Sequence, residues 1–300
     1  MSQLKVLILG SSGFVGRNIQ DVLQAGFSVY GTTRNVAYVN ETTLFFDFEI
    51  RETWGNILAL KPDFIINAAG YGVVKYQKEP ERMKMVNYYL PYQLKEYLDI
   101  NLPEFFWIQV GSAFEYDLGL EALNESSPAM PLTDYGISKQ LFSQYLQLSG
   151  RRNYVILRPF AMFGPGEDES KIVPALVMAQ RKQEVINLSS GEQKRDYFYV
   201  KDLAAFIAHI ISGDLSIVAG EVINIGSSTA MSLRELAAGI KEYLPDFNSD
   251  YWNWGAVEQR ENESKAFYNG SDKGIKLGFK QTLFSEACRE TINYYYQKEI

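Results

Sequence analysis

The chain has 300 residues, of which 46% are hydrophobic and 22% charged, a composition that excludes a disordered protein. Its 29 Lys and Arg stand against 36 Asp and Glu, and the net charge of −7 argues against a nucleic-acid partner. The single Cys288 and the single His209 exclude a disulfide and argue against a metal centre. The sequence has no apolar run of membrane-spanning length and no signal-peptide pattern, so we expect a cytoplasmic protein without a membrane partner.

The first half of the chain alternates short apolar strands with helices. Strands are predicted at Lys5–Leu9, Ser28–Gly31, Leu44–Phe46, Asp63–Ile66, Phe105–Val110 and Tyr154–Leu157. Helices are predicted at Asn18–Gln24, Thr53–Leu60, Arg82–Leu98 and Tyr135–Leu148. Pro91 is expected to kink or break the third helix. Continuous apolar strands between helices are typical of a parallel, doubly wound α/β sheet that is covered on both faces.

A glycine-rich segment follows the first predicted strand and opens a helix. Its Gly-x-x-Gly-x-x-Gly spacing permits a tight turn, lets a diphosphate approach the backbone, and packs helix against strand. The free N–H groups of the helix also favour an anion. The sequence therefore predicts a Rossmann-type dinucleotide site. Its expected cofactor contacts are Gly10, Ser12, Gly13, Phe14, Val15, Gly16 and Arg17.

The second half is less regular, with helices predicted at Ile172–Arg181, Asp202–Ile211 and Leu233–Tyr243 among short strands. We expect residues 1–160 to form mainly the dinucleotide-binding domain, with later segments returning to it. Residues 161–300 are expected to form mainly a smaller α/β lobe that binds the substrate.

The end of the second predicted strand indicates which dinucleotide binds. An NAD site usually carries an acid there for the ribose 2′-OH, whereas this sequence has Thr33 and Arg34. With Arg17 they can clamp a 2′-phosphate, so NADPH is favoured and NAD or NADH is the alternative. Arg34 could instead be an exposed loop cation. Asp47 and Phe48 are expected at the adenine edge, although Asp47 could equally be a helix cap.

Tyr135 and Lys139 form a Tyr-x-x-x-Lys pattern in a predicted helix. Positions i and i+4 share one helix face, so the ammonium and the phenol can serve one site. A free tyrosine titrates near ~10, and a nearby lysine cation would stabilise its phenolate. Ser112 follows a strand at the carboxyl edge of the sheet, where ligands bind in such folds. Its alternative role is that of a turn or helix cap.

These segments resemble the extended short-chain dehydrogenase/reductases in their order and spacing. The matching segments are the glycine loop, Asn67–Gly70, Gly111–Ser112, Tyr135–Lys139 and Leu157–Phe160. The resemblance implies that Ser112 orients a substrate oxygen, Tyr135 transfers a proton, and Lys139 tunes Tyr135 and holds the nicotinamide ribose. It also adds Ala68, Ala69 and Gly70 to the cofactor site.

Segments in the second half resemble the nucleotide-sugar epimerase, dehydratase and reductase branch of that family. These are Phe163–Gly166, Gly191–Asp202, Asn224–Gly226 and Gly255–Glu263. The likeness implies that Arg195 and Arg260 contact the diphosphate and ribose of a nucleotide sugar, although each could be a surface ion pair. Ala113 and Phe114 stand in the substrate site where 4,6-dehydratases carry an Asp-Glu pair. Neither side chain can transfer a proton, which argues against dehydration.

The Gly191–Asp202 and Gly255–Glu263 segments are most similar to the nucleoside-diphosphate 4-keto-6-deoxyhexose reductases, a group that includes CDP-abequose synthase. The expected function is NADPH-dependent reduction of the C4 ketone of such a sugar, in deoxysugar biosynthesis for a surface polysaccharide. The alternatives are a nucleotide-sugar 4-epimerase with tightly bound NAD and a non-catalytic NADP-binding protein of the same fold. The expected partners are the nucleotide sugar and a second copy of the chain, since relatives form a dimer four-helix bundle from the corresponding helices.

Overall fold

The computed structural model describes residues 3–102, 104–258 and 264–298. The strands are β1 (Lys5–Leu9), β2 (Ser28–Thr33), β3 (Thr43–Phe45), β4 (Phe64–Asn67), β5 (Phe106–Val110), β6 (Ala122–Leu123), β7 (Tyr154–Pro159), β8 (Ala161–Phe163), β9 (Ile186–Leu188), β10 (Lys194–Arg195), β11 (Tyr197–Tyr199), β12 (Val222–Ile225), β13 (Met231–Ser232), β14 (Trp252–Trp254) and β15 (Ala266–Asn269). The α-helices are α1 (Phe14–Leu23), α2 (Trp54–Leu60), α3 (Pro80–Lys84), α4 (Leu90–Asn101), α5 (Asp134–Leu148), α6 (Ile172–Lys182), α7 (Val200–Ser212), α8 (Leu233–Lys241), α9 (Lys273–Lys276) and α10 (Phe284–Gln297).

Among the residues described, seven parallel strands form the central sheet, in the order β12-β7-β5-β4-β1-β2-β3. Strands β4, β5 and β7 are buried along their whole length because helices cover both faces, which explains their unbroken apolar runs. Strands β2 and β3 lie on one side of β1, and β4, which follows them in the chain, lies on its other side, so the strand order reverses between β1 and β4. Open α/β sheets bind ligands at the carboxyl ends of the strands beside such a switch point. The predicted Rossmann-type, doubly wound fold is confirmed.

The helical segment before β5 differs from its prediction. Helix α3, a π-helical turn at Met85–Tyr89 and α4 follow one another without a break, so Pro91 does not end the helix. The Leu90 N–H bonds to the Met85 carbonyl five residues back, which widens the turn that precedes the proline. A wider turn accommodates a ring that has no N–H and would clash in a regular helix.

A smaller lobe lies beside the sheet. Strands β13, β10, β15 and β6 form a second sheet, and β11-β8 and β14-β9 form two-stranded pairs. Helices α6, α8 and α10 pack around Trp252 into an apolar core of their own. Strand β12 returns to the central sheet, while β6 leaves the first half to join the second sheet, so the two halves of the chain interleave.

None of the helices in the described part of the chain has the length and apolar character that crossing a lipid bilayer requires. His209 lies on α7, where it is exposed and its ring stacks on Phe206 with centroids 6.4 Å apart.

Candidate active site at the carboxyl edge of the sheet

The glycine loop between β1 and α1 forms a tight cradle. Gly10 has φ +78°, and a Cβ on it would lie 2.8 Å from the backbone of Ala69. A Cβ on Gly16 would lie 2.2 Å from the Gly10 carbonyl oxygen. Gly13 caps α1 without a side-chain hydrogen bond, which leaves N–H groups at the helix start for a ligand. The cradle therefore fits a dinucleotide diphosphate, and it places Ala68 and Ala69 against the predicted loop.

A cavity of about 520 Å³ adjoins the glycine loop at the end of β2. It is lined by Ser11, Ser12, Gln20, Thr32, Thr33, Ala37, Tyr38, Val39, Asn40 and Thr43. No Asp or Glu is among these lining residues of the described chain, so no acid faces the cavity to accept from a ribose 2′-OH. Thr33 lies in the cavity as predicted, and Arg34 is exposed at the next position of the chain.

The Arg17 side chain does not line this cavity. Its guanidinium donates to the Ser12 carbonyl oxygen at 2.8 Å and lines a second cavity of about 360 Å³ beside Gly166 and Glu167. The structure therefore does not bring Arg17 together with Thr33, as a shared 2′-phosphate clamp would require.

Asp47 and Phe48 follow β3. One carboxylate oxygen of Asp47 accepts the Glu49 N–H at 2.9 Å, and the Asp47 backbone is held by the Thr53 hydroxyl. The ring of Phe48 packs edge-on against Phe46, with centroids 4.9 Å apart. Asp47 thus closes a turn in this structure, and its contact with adenine stays a prediction.

Ser112, Tyr135 and Lys139 meet at the carboxyl end of β5. The Ser112 side chain lies close enough to the Tyr135 hydroxyl to lower the pKa of that phenol. The Lys139 ammonium donates to the Val110 carbonyl at 2.8 Å and lies 3.8 Å from the position that a Cβ on Gly70 would take. Ser112 also accepts the Phe114 N–H at 3.1 Å, so the predicted cap role and the site role coexist. The sequence-predicted catalytic group is therefore assembled beside the cofactor loop.

Burial sets the protonation of this group. It raises the pKa of Tyr135 to about 12, against a smaller lowering by the Ser112 hydrogen bond. It lowers the pKa of Lys139 to about 8, while the negative charge of Glu115 acts in the opposite direction. At neutral pH the phenol therefore carries its proton and the lysine its charge, which suits proton donation to a substrate oxygen.

An aromatic row leads from Tyr135 towards the smaller lobe. Phe114 packs edge-on against Tyr135 and Phe267, with centroid distances of 6.0 and 5.6 Å. The Arg195 guanidinium lies 4.7 Å from the Phe267 ring centroid and donates to the Lys194 carbonyl. Phe114 is 38% exposed, whereas Ala113 is buried. The structure thus connects Phe114 and Arg195 to the catalytic group through one surface, and Arg260 lies outside the described residues.

Sequence reasoning missed three buried polar residues around this group. Asn87, in the π-helical turn, bonds to both the amide and the carbonyl of Tyr71 and donates to the Ser138 hydroxyl. Glu115 accepts the Ser112 N–H at 2.8 Å and pairs with Arg158. The Ser-x-x-Glu spacing of residues 112–115 is the capping-box pattern and could have identified Glu115. No local pattern marks Asn87.

The sequence matches the NAD dependent epimerase/dehydratase family over residues 6–226, which is more than two thirds of the chain. The chain belongs to this family. The chain is similar to a CDP-abequose synthase of Yersinia pseudotuberculosis, 26% identical over 249 residues that cover 80% of this chain and 84% of the relative. A second CDP-abequose synthase, of Salmonella typhimurium, is 24% identical over 92% of each chain.

Proteins of known structure share this fold. A UDP-N-acetylglucosamine 4-epimerase from Methanobrevibacter ruminantium superposes with a TM-score of 0.84, covering 98% of this chain and 99% of that one, at 23% identity. This likeness shows the shared architecture. The residues that carry the chemistry must be argued from the site itself.

Proposed function

We propose that this protein is an NADPH-dependent reductase of the C4 ketone of a nucleoside-diphosphate 4-keto-6-deoxyhexose. The observation that carries the proposal is the neutral, half-buried Tyr135 beside Ser112 and Lys139, a proton donor at the edge of a dinucleotide cradle. The two CDP-abequose synthases support a nucleotide-sugar substrate.

When bound, NADPH supplies the hydride that a ketone carbon receives. The chain's own residues then act on the ketone oxygen, where negative charge develops. Ser112 donates a hydrogen bond to it, and Tyr135 transfers its proton to it as the alcohol forms. The Lys139 ammonium, held at the Val110 carbonyl, stabilises the phenolate that remains.

Two features support reduction over the other reactions of the family. Ala113 and Phe114 cannot transfer a proton, so the chain lacks the acid pair that dehydration uses. The cavity at the end of β2 has hydroxyl and amide groups and no acid among its described lining residues, which suits a cofactor with a 2′-phosphate. A phosphorylated cofactor that is exchanged at each turnover fits a net reduction. A 4-epimerase instead retains NAD and regenerates it within each cycle.

Arg195 and Arg260 are proposed to bind the diphosphate of the sugar nucleotide. The Arg195 guanidinium lies 4.7 Å from the centroid of the buried Phe267 ring, on the surface that leads to Tyr135, and a guanidinium suits bidentate binding of phosphate oxygens. The boundary between the two binding regions is proposed at about residue 160, with the cofactor bound on the central sheet and the substrate on the smaller lobe.

We also propose a cytoplasmic homodimer through α4 and α5, where Ile100 and Leu148 are more than three-quarters exposed.

Assays with CDP-, dTDP-, GDP- and UDP-linked 4-keto-6-deoxyhexoses test the proposal. Oxidation of NADPH with at least one of them is expected, together with formation of the 4-hydroxy sugar. NADPH binding without turnover of any of the four would favour the non-catalytic protein. Interconversion of two 4-hydroxy sugars without added cofactor would favour the epimerase.

A further inference from the structure

A buried ion pair lies beneath the catalytic group without touching the proposed reacting atoms. Arg158 Nε and Glu115 Oε2 are 2.8 Å apart, with the glutamate fully buried and the arginine 3% exposed. The Arg158 guanidinium also lies 4.4 Å from the centroid of Tyr116, whose hydroxyl donates to Asn224 at 2.7 Å. Burying two charges costs solvation free energy that their mutual attraction often fails to recover. A role besides stability would account for the pair.

We infer that Glu115 is a positioning residue for the catalytic group, whose carboxylate holds the Ser112 main chain and places a negative charge near the segment that binds the Lys139 ammonium. The inference deepens the proposed function and rests on it for the turnover measurement alone. Its geometric basis is the segment of residues 110–112, which contains the last residue of β5 and the two residues after it. Val110 accepts from Lys139, Gly111 lies against Glu115, and Ser112 donates its N–H to Glu115.

The close contact with Gly111 fixes the position of the Glu115 carboxylate. A Cβ at position 111 would lie 2.4 Å from Glu115 Oε1 and 3.2 Å from the Leu157 carbonyl oxygen, so a larger residue would displace the carboxylate. Oε1 accepts the Ser112 N–H while Oε2 accepts from Arg158, and both oxygens are therefore held. The Ser112 hydroxyl closes the same turn by accepting the Phe114 N–H. The orientation of Ser112 thus depends on the carboxylate.

The negative charge of Glu115 also affects the pKa of Lys139. Among the described residues, the titratable and charged groups that interact with Glu115 are Arg158 on β7, Tyr116 on its own turn, and Tyr135 and Lys139 on α5. Glu115 is the charged neighbour that raises the pKa of Lys139 against the effect of burial. Because an acid favours the protonated form of a nearby amine, removing this charge lowers the pKa of the lysine.

The test compares Glu115→Gln with Asp99→Asn. The control breaks a second buried ion pair, between Lys95 Nζ and Asp99 Oδ1 at 2.7 Å, near the C-terminus of α4 and away from Ser112. Lysine labelled with ¹³C at Cε is titrated by NMR in each protein, and Lys139→Met assigns the signal. Glu115→Gln is expected to lower the pKa of Lys139 by about one unit, a typical effect of one nearby charge. Asp99→Asn is expected to lower the Tm without that shift.

A charge-conserving variant separates the two parts of the role. Glu115→Asp keeps the charge but shortens the side chain, so the pKa of Lys139 is expected to move by less than half as much. Its kcat with the 4-keto sugar is expected to fall at least tenfold, because Ser112 loses its anchor. If Glu115→Gln does not fold, the double variant Glu115→Gln/Arg158→Met removes both charges, and it is expected to lower the pKa of Lys139 in the same direction but by less, because the Arg158 cation is lost as well.

The inference is overturned if the pKa of Lys139 is the same in the wild-type protein and in Glu115→Gln or the double variant. A Tm loss as the sole effect, matching that of Asp99→Asn, also overturns it. The NMR titration needs no substrate. A shifted pKa in a protein that turns over none of the four 4-keto sugars would therefore contradict the proposed function and leave the role of Glu115 supported.

Discussion

Tyr135 carries the largest share of the proposed chemistry. Burial raises its pKa to about 12, so in the proposed reaction it acts as an acid. The Tyr-x-x-x-Lys pattern was sufficient to predict that it shares a site with Lys139, because two residues four apart on a helix share a face. Glu115 and Arg158 were not assigned roles from the sequence, since burial of a charged side chain depends on which strands become neighbours. Strands β5 and β7 are adjacent only in the folded sheet.

Replacing Tyr135 with phenylalanine removes the proton donor and keeps the ring that packs on Phe114. We expect kcat to fall by about 10²–10⁴, the usual contribution of a general acid, while the Kd for NADPH changes little. Tyr145→Phe is the matched control, since it removes another half-buried hydroxyl from α5, one that bonds to Glu96 instead. Steady-state kinetics check both variants. Near-normal turnover in Tyr135→Phe would remove this residue from the mechanism.

Arg34→Ala tests the choice of cofactor. The loss of one charge-assisted hydrogen bond of roughly 1.5–3 kcal/mol should weaken NADPH binding about ten- to a hundredfold and leave NADH binding almost unchanged. Fluorescence titration of the two cofactors measures the ratio. Arg51→Ala, which removes a cation stacked on Trp54, should affect neither. Equal losses for both cofactors in Arg34→Ala would mean that another group recognises the phosphate.

Secondary structure was predictable where burial leaves a simple pattern. Six of the seven strands in the described part of the central sheet lie within two residues of their predictions, because strands covered on both faces need continuous apolar sequence, whereas β12 had no predicted bounds. The helix around Pro91 was harder. A proline usually ends a helix, and the π-helical turn that accommodates it here depends on tertiary contacts such as those of Asn87. The cavity at the end of β2 also depends on how the loop after the strand folds back, which periodicity does not encode.

The close packing of α1 against the glycine loop leads to a prediction about the position of that helix. Gly16→Ala places a methyl 2.2 Å from the Gly10 carbonyl oxygen, so α1 must move away from β1. We expect a loss of roughly 1–3 kcal/mol in the free energy of unfolding, together with weaker NADPH binding. Denaturant unfolding and cofactor titration measure the two effects. In the control Gly26→Ala, the added Cβ has no described atom within 4 Å and should change neither quantity. Normal cofactor binding by Gly16→Ala would show that the cradle tolerates the displacement.

Across the whole molecule, the interleaved strands bring the catalytic group on the central sheet next to Arg195 on the second sheet. The aromatic row of Tyr135, Phe114 and Phe267 bridges the two. A sequence can indicate each half by its own motifs. Their contact follows from β12 joining the central sheet and β6 joining the second sheet, which no local pattern encodes.

Arg195→Ala should raise the KM for the sugar nucleotide more than it lowers kcat, because the proposed phosphate contact is remote from the reacting carbon. The KM for NADPH should stay the same. Lys194→Ala, which removes the neighbouring exposed cation, is the control. An unchanged sugar-nucleotide KM in Arg195→Ala would place the diphosphate elsewhere.

The stoichiometry of the reaction tests the central claim most directly. NADPH carrying deuterium at the transferred C4 position is mixed with the purified protein and a 4-keto-6-deoxyhexose nucleotide, and both products are measured. The account predicts one NADPH oxidised for each 4-hydroxy sugar formed, with the deuterium at C4 of the sugar. Equilibration of two 4-hydroxy sugars with no net oxidation of NADPH, and no reduction of any 4-keto sugar, would contradict it.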